Sequence, residues 1–182
     1  RDESILKCLV MCVRVLSLRQ MAVHWWNGEM ANARRRMKQL AEVRLVAAIE
    51  VLARPISNLD GPVTCWWPGS PEPDFGALSY LFQNRLRRLP SRMVKVYVAS
   101  DRAAALFGGQ SNGELSHPTQ AGHDLGVAAI WLTLARTNSQ KSERWIGEDR
   151  MPNLRVGEKR PDAFIVNVQG QVESVIEFGG DY

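Results

Sequence analysis

The sequence predicts an α+β fold, because helical spacing of apolar residues dominates its first part and strand-like alternation closes it. Of the 182 residues, 45% are hydrophobic and 23% are charged, a balance typical of globular proteins with a buried core. A stretch rich in Gly, Ser and Asn at residues 108–118 is the best candidate for a domain boundary. We therefore expect one domain over residues 1–107 and a second over residues 117–182.

Local signals at the start of the chain predict two short helices. Asp2 can cap the first helix. Ser17 followed three residues later by Gln20 is a capping-box pattern, which predicts the start of the second helix. The pair Asn27-Gly28 then ends that helix. Of the two tryptophans at positions 25 and 26, we expect one in the core, because one helical face cannot bury both.

The next part of the sequence predicts a third helix and a β-hairpin. Apolar spacing favours a helix over residues 29–43, and the Val-, Ile- and Ala-rich run 45–53 favours a strand. We interpret residues 64–67 as the return strand of the hairpin. Residues 78–89 have the pattern of an amphipathic basic helix, and residues 93–100 alternate like a further strand.

The rest of the chain predicts two more helices and a C-terminal hairpin. Residues 101–108 indicate a short helix that ends at a glycine pair, and residues 123–137 indicate an apolar helix of about four turns. A strand starts near residue 145. Residues 162–168 and 172–178 predict two strands joined by a turn at a glycine.

Four cations lie together on the predicted third helix. Arg34, Arg35 and Lys38 share one face, Arg36 lies on its flank, and the opposite face is apolar. A helix that enters the major groove of DNA needs long donors on one face and a packed back. An ordinary solvated helix face is the alternative. The order of two short helices, a basic helix and strands is typical of a winged helix-turn-helix, which favours double-stranded DNA as the partner.

The charge distribution agrees with a DNA-binding first half. Residues 27–54 carry six Arg or Lys against three acids, and residues 85–102 carry six against one. Residues 143–182 carry eight acids against five bases. A second basic cluster either extends a phosphate-binding surface or forms an ordinary exposed helix. Its members are Arg85, Arg87, Arg88, Arg92 and Lys95.

Two carboxylates of the C-terminal hairpin suggest a second chemistry. Asp162 opens one predicted strand and Glu177 lies near the end of the next. In metal-dependent nucleases, carboxylates on adjacent strands converge on Mg²⁺, which activates water for attack on a phosphate. Such enzymes also carry a lysine two residues after the second acid, and here that position is Gly179. We therefore expect no cofactor unless the chain is a Mg²⁺-dependent nuclease, and the enzyme hypothesis is the weaker one.

Several segments in order resemble the replication-relaxation family, whose members occur on plasmids and other mobile elements. The resemblance implies a winged helix followed by a domain similar to the restriction-endonuclease fold, here partial or degenerate. It matches the family's HDL to His123, Asp124 and Leu125, its PD to Pro161-Asp162, and its strand acid to Glu177. The segments are RDESILKCLV, ANARRRMKQLAEVRLV, VYVASDRAAALFGG, HDLGVAAIWLTLART and KRPDAFIVNVQGQVESVIEFGG.

The resemblance adds two expectations about the second domain. Asp124 becomes a third metal ligand beside Asp162 and Glu177 if the nuclease hypothesis holds. The alternative for His123-Asp124 is a plain helix start, which the helix dipole alone favours for an acid and which we prefer. We also expect residues beyond Tyr182 to complete the endonuclease-like fold.

Three functions follow from these patterns. The first is a sequence-specific or structure-specific DNA-binding protein of a mobile element, acting in replication, mobilisation or transcription control. The second is a nuclease, and the third is a degenerate nuclease fold that serves as an oligomerisation or partner surface, which includes a homodimer. We expect a cytoplasmic protein without a membrane partner, because no apolar run or signal peptide is present and the odd cysteine count predicts free thiols.

Overall fold

The computed structural model describes residues 1–54, 64, 66, 69–87, 90–109, 111, 113–115, 120–151 and 160–178. It is a mixed α+β fold with two small antiparallel sheets, which confirms the predicted fold class. The elements in chain order are α1 (Asp2–Met11), β1 (Leu16–Ser17), α2 (Leu18–Trp25), α3 (Met30–Glu42), β2 (Val46–Ala53), α4 (Phe75–Arg87), β3 (Arg92–Ala99), α5 (Asp101–Phe107), α6 (Ala121–Thr137), α7 (Ser139–Glu143), β4 (Trp145–Gly147), a 3-10 turn (Glu148–Arg150), β5 (Ala163–Val166) and β6 (Val172–Ile176).

Local capping signals place the N-terminal helices where the sequence predicts them. The Ser17 hydroxyl accepts the backbone N–H of Gln20, and the Gln20 side chain returns to the backbone N–H of Ser17. This capping box satisfies two of the N–H groups that a helix start leaves unpaired. Asn27 and Gly28, with φ angles of 50° and 89°, then turn the chain from α2 into α3. The predicted cap at Asp2 differs by one residue, because Arg1 is the N-cap.

The first sheet has the strand order β1-β3-β2. β2 and β3 pair antiparallel over eight positions, from Val46 opposite Ala99 to Ala53 opposite Arg92. The return strand is thus β3, and our prediction of that strand at residues 64–67 was wrong. Four residues could not match the eight cross-strand pairs of β3, whose C-terminal half is also fully buried. Thr64 and Trp66 lie outside any strand, whereas Cys65 and Trp67 lie outside the described residues.

The main hydrophobic core joins residues from both ends of the chain. Ile5 of α1 belongs to the same buried cluster as Trp131 of α6 and Ile165 of β5. A second cluster packs the first sheet against Leu125 of α6. The Gln20 side chain donates to the Leu125 carbonyl at 2.8 Å, which adds a polar tie. The core therefore runs across the stretch at which we placed the domain boundary.

The second sheet has the order β4-β5-β6, and β5 and β6 form the predicted C-terminal hairpin. The Asn167 side chain accepts the backbone N–H groups of Gln169 and Gln171, each at 2.9 Å. Gly170 completes the turn with a φ of 79°, a conformation that favours glycine. The predicted strand at residue 145 and the helix at residues 123–137 are also present, as β4 and α6.

Burial also bears out the predictions for the tryptophan pair and for two cysteines. Trp26 is buried, and the Trp25 indole N–H donates to the Ser4 hydroxyl at 3.1 Å. Cys8 is a buried free thiol and Cys12 a partly buried one. In the part of the chain that the structure describes, no helix combines the length and the apolar character that a bilayer crossing requires.

A close contact at Gly147 leads to a first testable prediction. A Cβ at this position would lie 2.6 Å from the Cys12 carbonyl oxygen, which is backbone at the end of α1. We expect Gly147→Ala to lower the free energy of unfolding by about 1–3 kcal/mol, because one of the two segments must move. Urea denaturation measures this loss.

Gly122→Ala is the matched control, since the nearest atom to its Cβ would be the Arg54 nitrogen at 4.0 Å. This control should be neutral or slightly stabilising, because alanine favours helix. Equal losses for both variants would contradict the role of the close contact.

Candidate functional site

α3 presents its cations outward from a buried back. Ala33 and Met37 are fully buried and Leu40 nearly so, which fixes the rotation of the helix on the core. Arg34, Arg35 and Lys38 are exposed on the opposite side. The Arg35 guanidinium lies 3.3 Å from the Asn32 amide oxygen, and the Lys38 ammonium lies 3.8 Å from the Glu42 carboxylate. Such exposed contacts are weak, so these side chains can turn to a ligand.

Arg36 is engaged differently from the other three cations. Its Nε donates to the Asp2 carboxylate at 2.9 Å, its Nη2 forms an ion pair with the same carboxylate, and its Nη1 donates to Gln39 at 2.7 Å. The Arg36 guanidinium lowers the pKa of the Asp2 carboxyl, mainly through this hydrogen bonding. Arg36 therefore links α3 to α1, and its predicted role as a further DNA contact stays a prediction.

The second basic cluster falls largely on residues whose side chains lie outside the described part of the chain. Arg85 and Arg87 belong to α4, and Arg88 follows it. Arg92 and Lys95 lie exposed on β3, where Lys95 faces Glu50 across the strands. Their predicted role in DNA binding stays a prediction.

Two predicted site residues and a histidine meet at the start of α6. His123 and Asp124 lie in the first turns of the helix, and Asp162 immediately precedes β5. The His123 ring lies between the two acids: its Nδ1 is 3.6 Å from Asp124 Oδ1, and its Nε2 is 3.2 Å from Asp162 Oδ2. Both aspartates are buried, with 8% of their surface exposed. The backbone N–H of Phe178 also donates to Asp162 Oδ2, at 2.6 Å.

Electrostatics in this cluster favour a positively charged histidine. Hydrogen bonding to Asp124, and next to Asp162, raises the pKa of His123 to about 9. Burial opposes this shift but does not cancel it. At neutral pH an imidazolium therefore bridges two carboxylates that would otherwise repel each other.

Asp162 and Glu177 flank the same end of the hairpin, as the sequence predicts. Ala163 pairs with Ile176, and the two acids are the next residues outward. Asp162 is buried and Glu177 is exposed, so the hairpin does not present them as an equivalent pair. Gly179 lies outside the described residues.

The donor set at this cluster does not fit a Mg²⁺ site. His123 occupies the space between Asp124 and Asp162 that a bridging cation would need. Within the described ranges, no group of three or more His, Cys, Asp or Glu side chains has an arrangement that could hold a metal ion.

A cleft of about 720 Å³ opens beside this cluster. The end of α1, α5, the start of α6 and the 3-10 turn line it, and Arg14, Arg150 and Arg160 contribute cations. Arg14 donates from Nε to Asp149 at 2.8 Å and pairs through Nη1 with Glu148 at 2.9 Å. This ion pair network ties the loop after α1 to the 3-10 turn and forms one wall of the cleft.

Sequence reasoning missed that His123 contacts Asp162. The two residues lie in different elements, so no local period relates them. The available signal is that the pairs His123-Asp124 and Pro161-Asp162 each lie near the start of a predicted element. The missed contact is therefore tertiary rather than local.

Comparison with known proteins adds no relative. The chain matches no protein-family model, no curated protein and no solved structure.

Proposed function

We propose that this chain is a double-stranded DNA-binding protein in which α1, α2, α3 and the β2–β3 ribbon act as a winged helix-turn-helix. The sheet order β1-β3-β2 is typical of such domains and supports the proposal. The element order α1-β1-α2-α3-β2-α4-β3 also follows the winged-helix pattern, with α4 inserted between the two strands of the wing. In this assignment α3 is the recognition helix and α2 supports it from behind.

The exposed cationic face of α3 is the observation that carries the proposal. Arg34, Arg35 and Lys38 project from a helix whose opposite side is locked in the core. Arginine can bind a phosphate or read guanine with two hydrogen bonds, and lysine supplies a mobile positive charge. The Arg36–Asp2 pair holds this helix to α1, so the three outer cations rest on a fixed support.

The biological setting follows from the family resemblance. We propose a cytoplasmic protein of a plasmid or other mobile element that acts in replication, mobilisation or transcription control. The second half of the chain then has a structural or partner-binding role, which includes homodimer formation. The imidazolium between Asp124 and Asp162 supports this role over a nuclease, because it neutralises the carboxylates that a metal ion would need.

Salt dependence of binding tests the DNA proposal one residue at a time. Arg34→Ala, Arg35→Ala and Lys38→Ala should each reduce the slope of log K against log salt by about one if the side chain binds a phosphate. A side chain that reads a base instead costs about 1–3 kcal/mol on the preferred site and less on random duplex. Fluorescence anisotropy with labelled duplexes at several salt concentrations measures both quantities.

Arg136→Ala is the matched control, since Arg136 is an exposed cation of α6 and does not belong to the cationic face of α3. Its slope should equal that of the wild-type protein. Unchanged slopes and affinities in all three α3 variants would end the assignment of α3 as the recognition helix.

A cleavage assay separates the structural role of the second half from catalysis. We expect supercoiled plasmid DNA to remain intact with this protein and Mg²⁺, because the acids at His123 are already neutralised. Mg²⁺-dependent cleavage that disappears in Asp162→Ala would instead establish a nuclease.

A further inference from the structure

The C-terminal end of α3 is closed by an arginine in a left-handed conformation. The backbone N–H of Arg44 donates to the Ala41 carbonyl and that of Leu45 to the Leu40 carbonyl, each at 2.9 Å. These two bonds form a Schellman motif, in which glycine is the usual residue at the left-handed position. Arg44 takes that position with a φ of 55°, a conformation that is unfavourable for a residue with a Cβ. The local backbone therefore does not explain why this residue is an arginine.

The junction between β3 and α5 binds this turn from outside. The Ser100 backbone N–H donates to the Leu45 carbonyl at 3.2 Å, and the Ser100 hydroxyl donates to the Arg44 carbonyl at 2.8 Å. The Arg102 Nη1 donates to the Val43 carbonyl at 3.0 Å. Carbonyls at the C-terminus of a helix carry partial negative charge and repel anions. The Arg102 guanidinium therefore compensates the charge at the end of α3 that would otherwise oppose a phosphate.

Two exposed cations lie together at this turn. The hydrogen bond of Arg102 to the turn places its guanidinium beside the backbone of Arg44. Within the described part of the chain, neither arginine forms an ion pair with a carboxylate. The acids next to them in sequence have other partners: the Glu42 carboxylate lies 3.8 Å from the Lys38 ammonium, and the Asp101 carboxylate accepts a backbone N–H of α5 at 2.7 Å. Both guanidinium groups can therefore bind an anion.

A phosphate of a DNA backbone suits this pair in chemistry and in position. The planar guanidinium group binds phosphate with two parallel hydrogen bonds. Arg34 and Arg44 are ten residues apart, which is about 15 Å along a helix, whereas the major groove is about 12 Å wide. A duplex whose major groove holds the first half of α3 therefore presents the phosphates at the edge of the groove to the end of the helix.

We propose that Arg44 and Arg102 form a phosphate clamp that binds the DNA backbone at the C-terminal end of α3. Arg102 can contact a phosphate without leaving the Val43 carbonyl, because a guanidinium has five N–H donors. The unfavourable backbone of Arg44 is then the cost of placing a cation at this turn. This inference rests on the proposed function, because it takes duplex DNA as the ligand and adds two contacts outside the cationic face of α3.

Replacing Arg44 by glycine separates the effect on DNA binding from the effect on folding. Glycine is relaxed in the left-handed conformation, so Arg44→Gly should melt at the wild-type temperature or up to about 4 °C higher. The same change removes one phosphate contact. The slope of log K against log salt should therefore fall by about one, and the affinity for a labelled duplex at about 0.1 M salt should fall about eightfold. Circular dichroism and fluorescence anisotropy measure the two effects.

Asn27→Gly is the matched control for the backbone. Asn27 is the other described residue, apart from glycines, with a positive φ, at 50°. Asn27→Gly should leave the salt slope of duplex binding at the wild-type value, since it removes no charge. For the second arginine, Arg102→Ala should lower the slope by about one, whereas Arg102→Lys should keep the wild-type slope because the slope counts charges.

The salt slopes distinguish failure of the clamp from failure of the proposed function. Wild-type slopes in Arg44→Gly and Arg102→Ala, beside reduced slopes in Arg34→Ala and Arg35→Ala, would overturn the clamp and leave α3 as the recognition helix. Equal losses in Arg102→Lys and Arg102→Ala would also overturn it, because the lost helix cap and not the charge would then explain the effect. A wild-type protein that does not bind duplex DNA would overturn both proposals.

Discussion

Reversing two charges on α3 should remove duplex binding at physiological salt. In Arg34→Glu/Arg35→Glu the outward face of α3, the proposed recognition helix, changes from cationic to anionic, and it should then repel the phosphates of a duplex. Each removed phosphate contact costs affinity, and each introduced carboxylate adds repulsion. We expect a loss on the order of a thousandfold, measured by anisotropy on a labelled duplex.

Lys7→Glu/Arg136→Glu is the matched control for this reversal. It changes the net charge by the same amount, at exposed cations of α1 and α6. The control should retain binding within a few-fold, and both variants should melt close to wild type because all four side chains are exposed. A similar loss in both variants would indicate that net charge, and not the α3 face, determines binding.

Replacing His123 by glutamine should produce the largest loss of stability in the second half of the chain. Glutamine removes the imidazolium and leaves Asp124 and Asp162 buried beside each other without a cation. From the rise of the His123 pKa from 6.5 to about 9, we expect a loss of about 3 kcal/mol at most. Urea denaturation of the wild type and His123→Gln at matched pH values measures the difference.

The pH dependence of this loss has a defined sign. The folded-state pKa of His123 lies above the unfolded value, so its stabilisation is complete below about pH 6.5 and disappears as pH rises through about 9. The difference in free energy of unfolding between the wild type and His123→Gln should therefore be largest near pH 6 and disappear above pH 9. A gap that does not change with pH would mean that packing, and not charge, is lost.

His24 provides a control of opposite sign. Burial, and next the charge of Arg136, lowers the pKa of His24 below 6.5. Protonation then favours the unfolded state, so His24 destabilises the fold as pH falls below 6.5. His24→Gln should remove this destabilisation below pH 6.5 and leave the free energy of unfolding unchanged at higher pH.

Local chemistry explains which elements could be predicted from the sequence. The Ser17–Gln20 capping box, the Asn27-Gly28 turn and the Ser100 cap of α5 each depend on residues within one turn of the chain. Apolar periodicity defined α3 within one residue at each end. The same periodicity predicted that Arg34 and Arg35 lie on the exposed face of α3, where the structure places them.

The failures share a different cause, which is contact between distant segments. β3 pairs with β2 although a long segment separates them in sequence. The sequence predicted the nearer residues 64–67 as the partner strand instead. The ion pair of Arg36 with Asp2 of another helix is likewise a contact that the local pattern does not predict. The bridge from His123 to Asp162 depends on the packing of α6 against the second sheet. The local pattern of one sequence contains no information about contacts between distant segments.

The shared core also affects how this chain emerges from the ribosome. Ile5 packs in one cluster with Ile165, so α1 cannot complete its core until about 160 further residues have been translated. At about 5–20 residues per second this takes roughly 8–32 s. Throughout that interval the part of this cluster that Ile165 completes stays available to cellular chaperones. Nascent-chain stability should therefore rise late and in one step, when β5 leaves the exit tunnel.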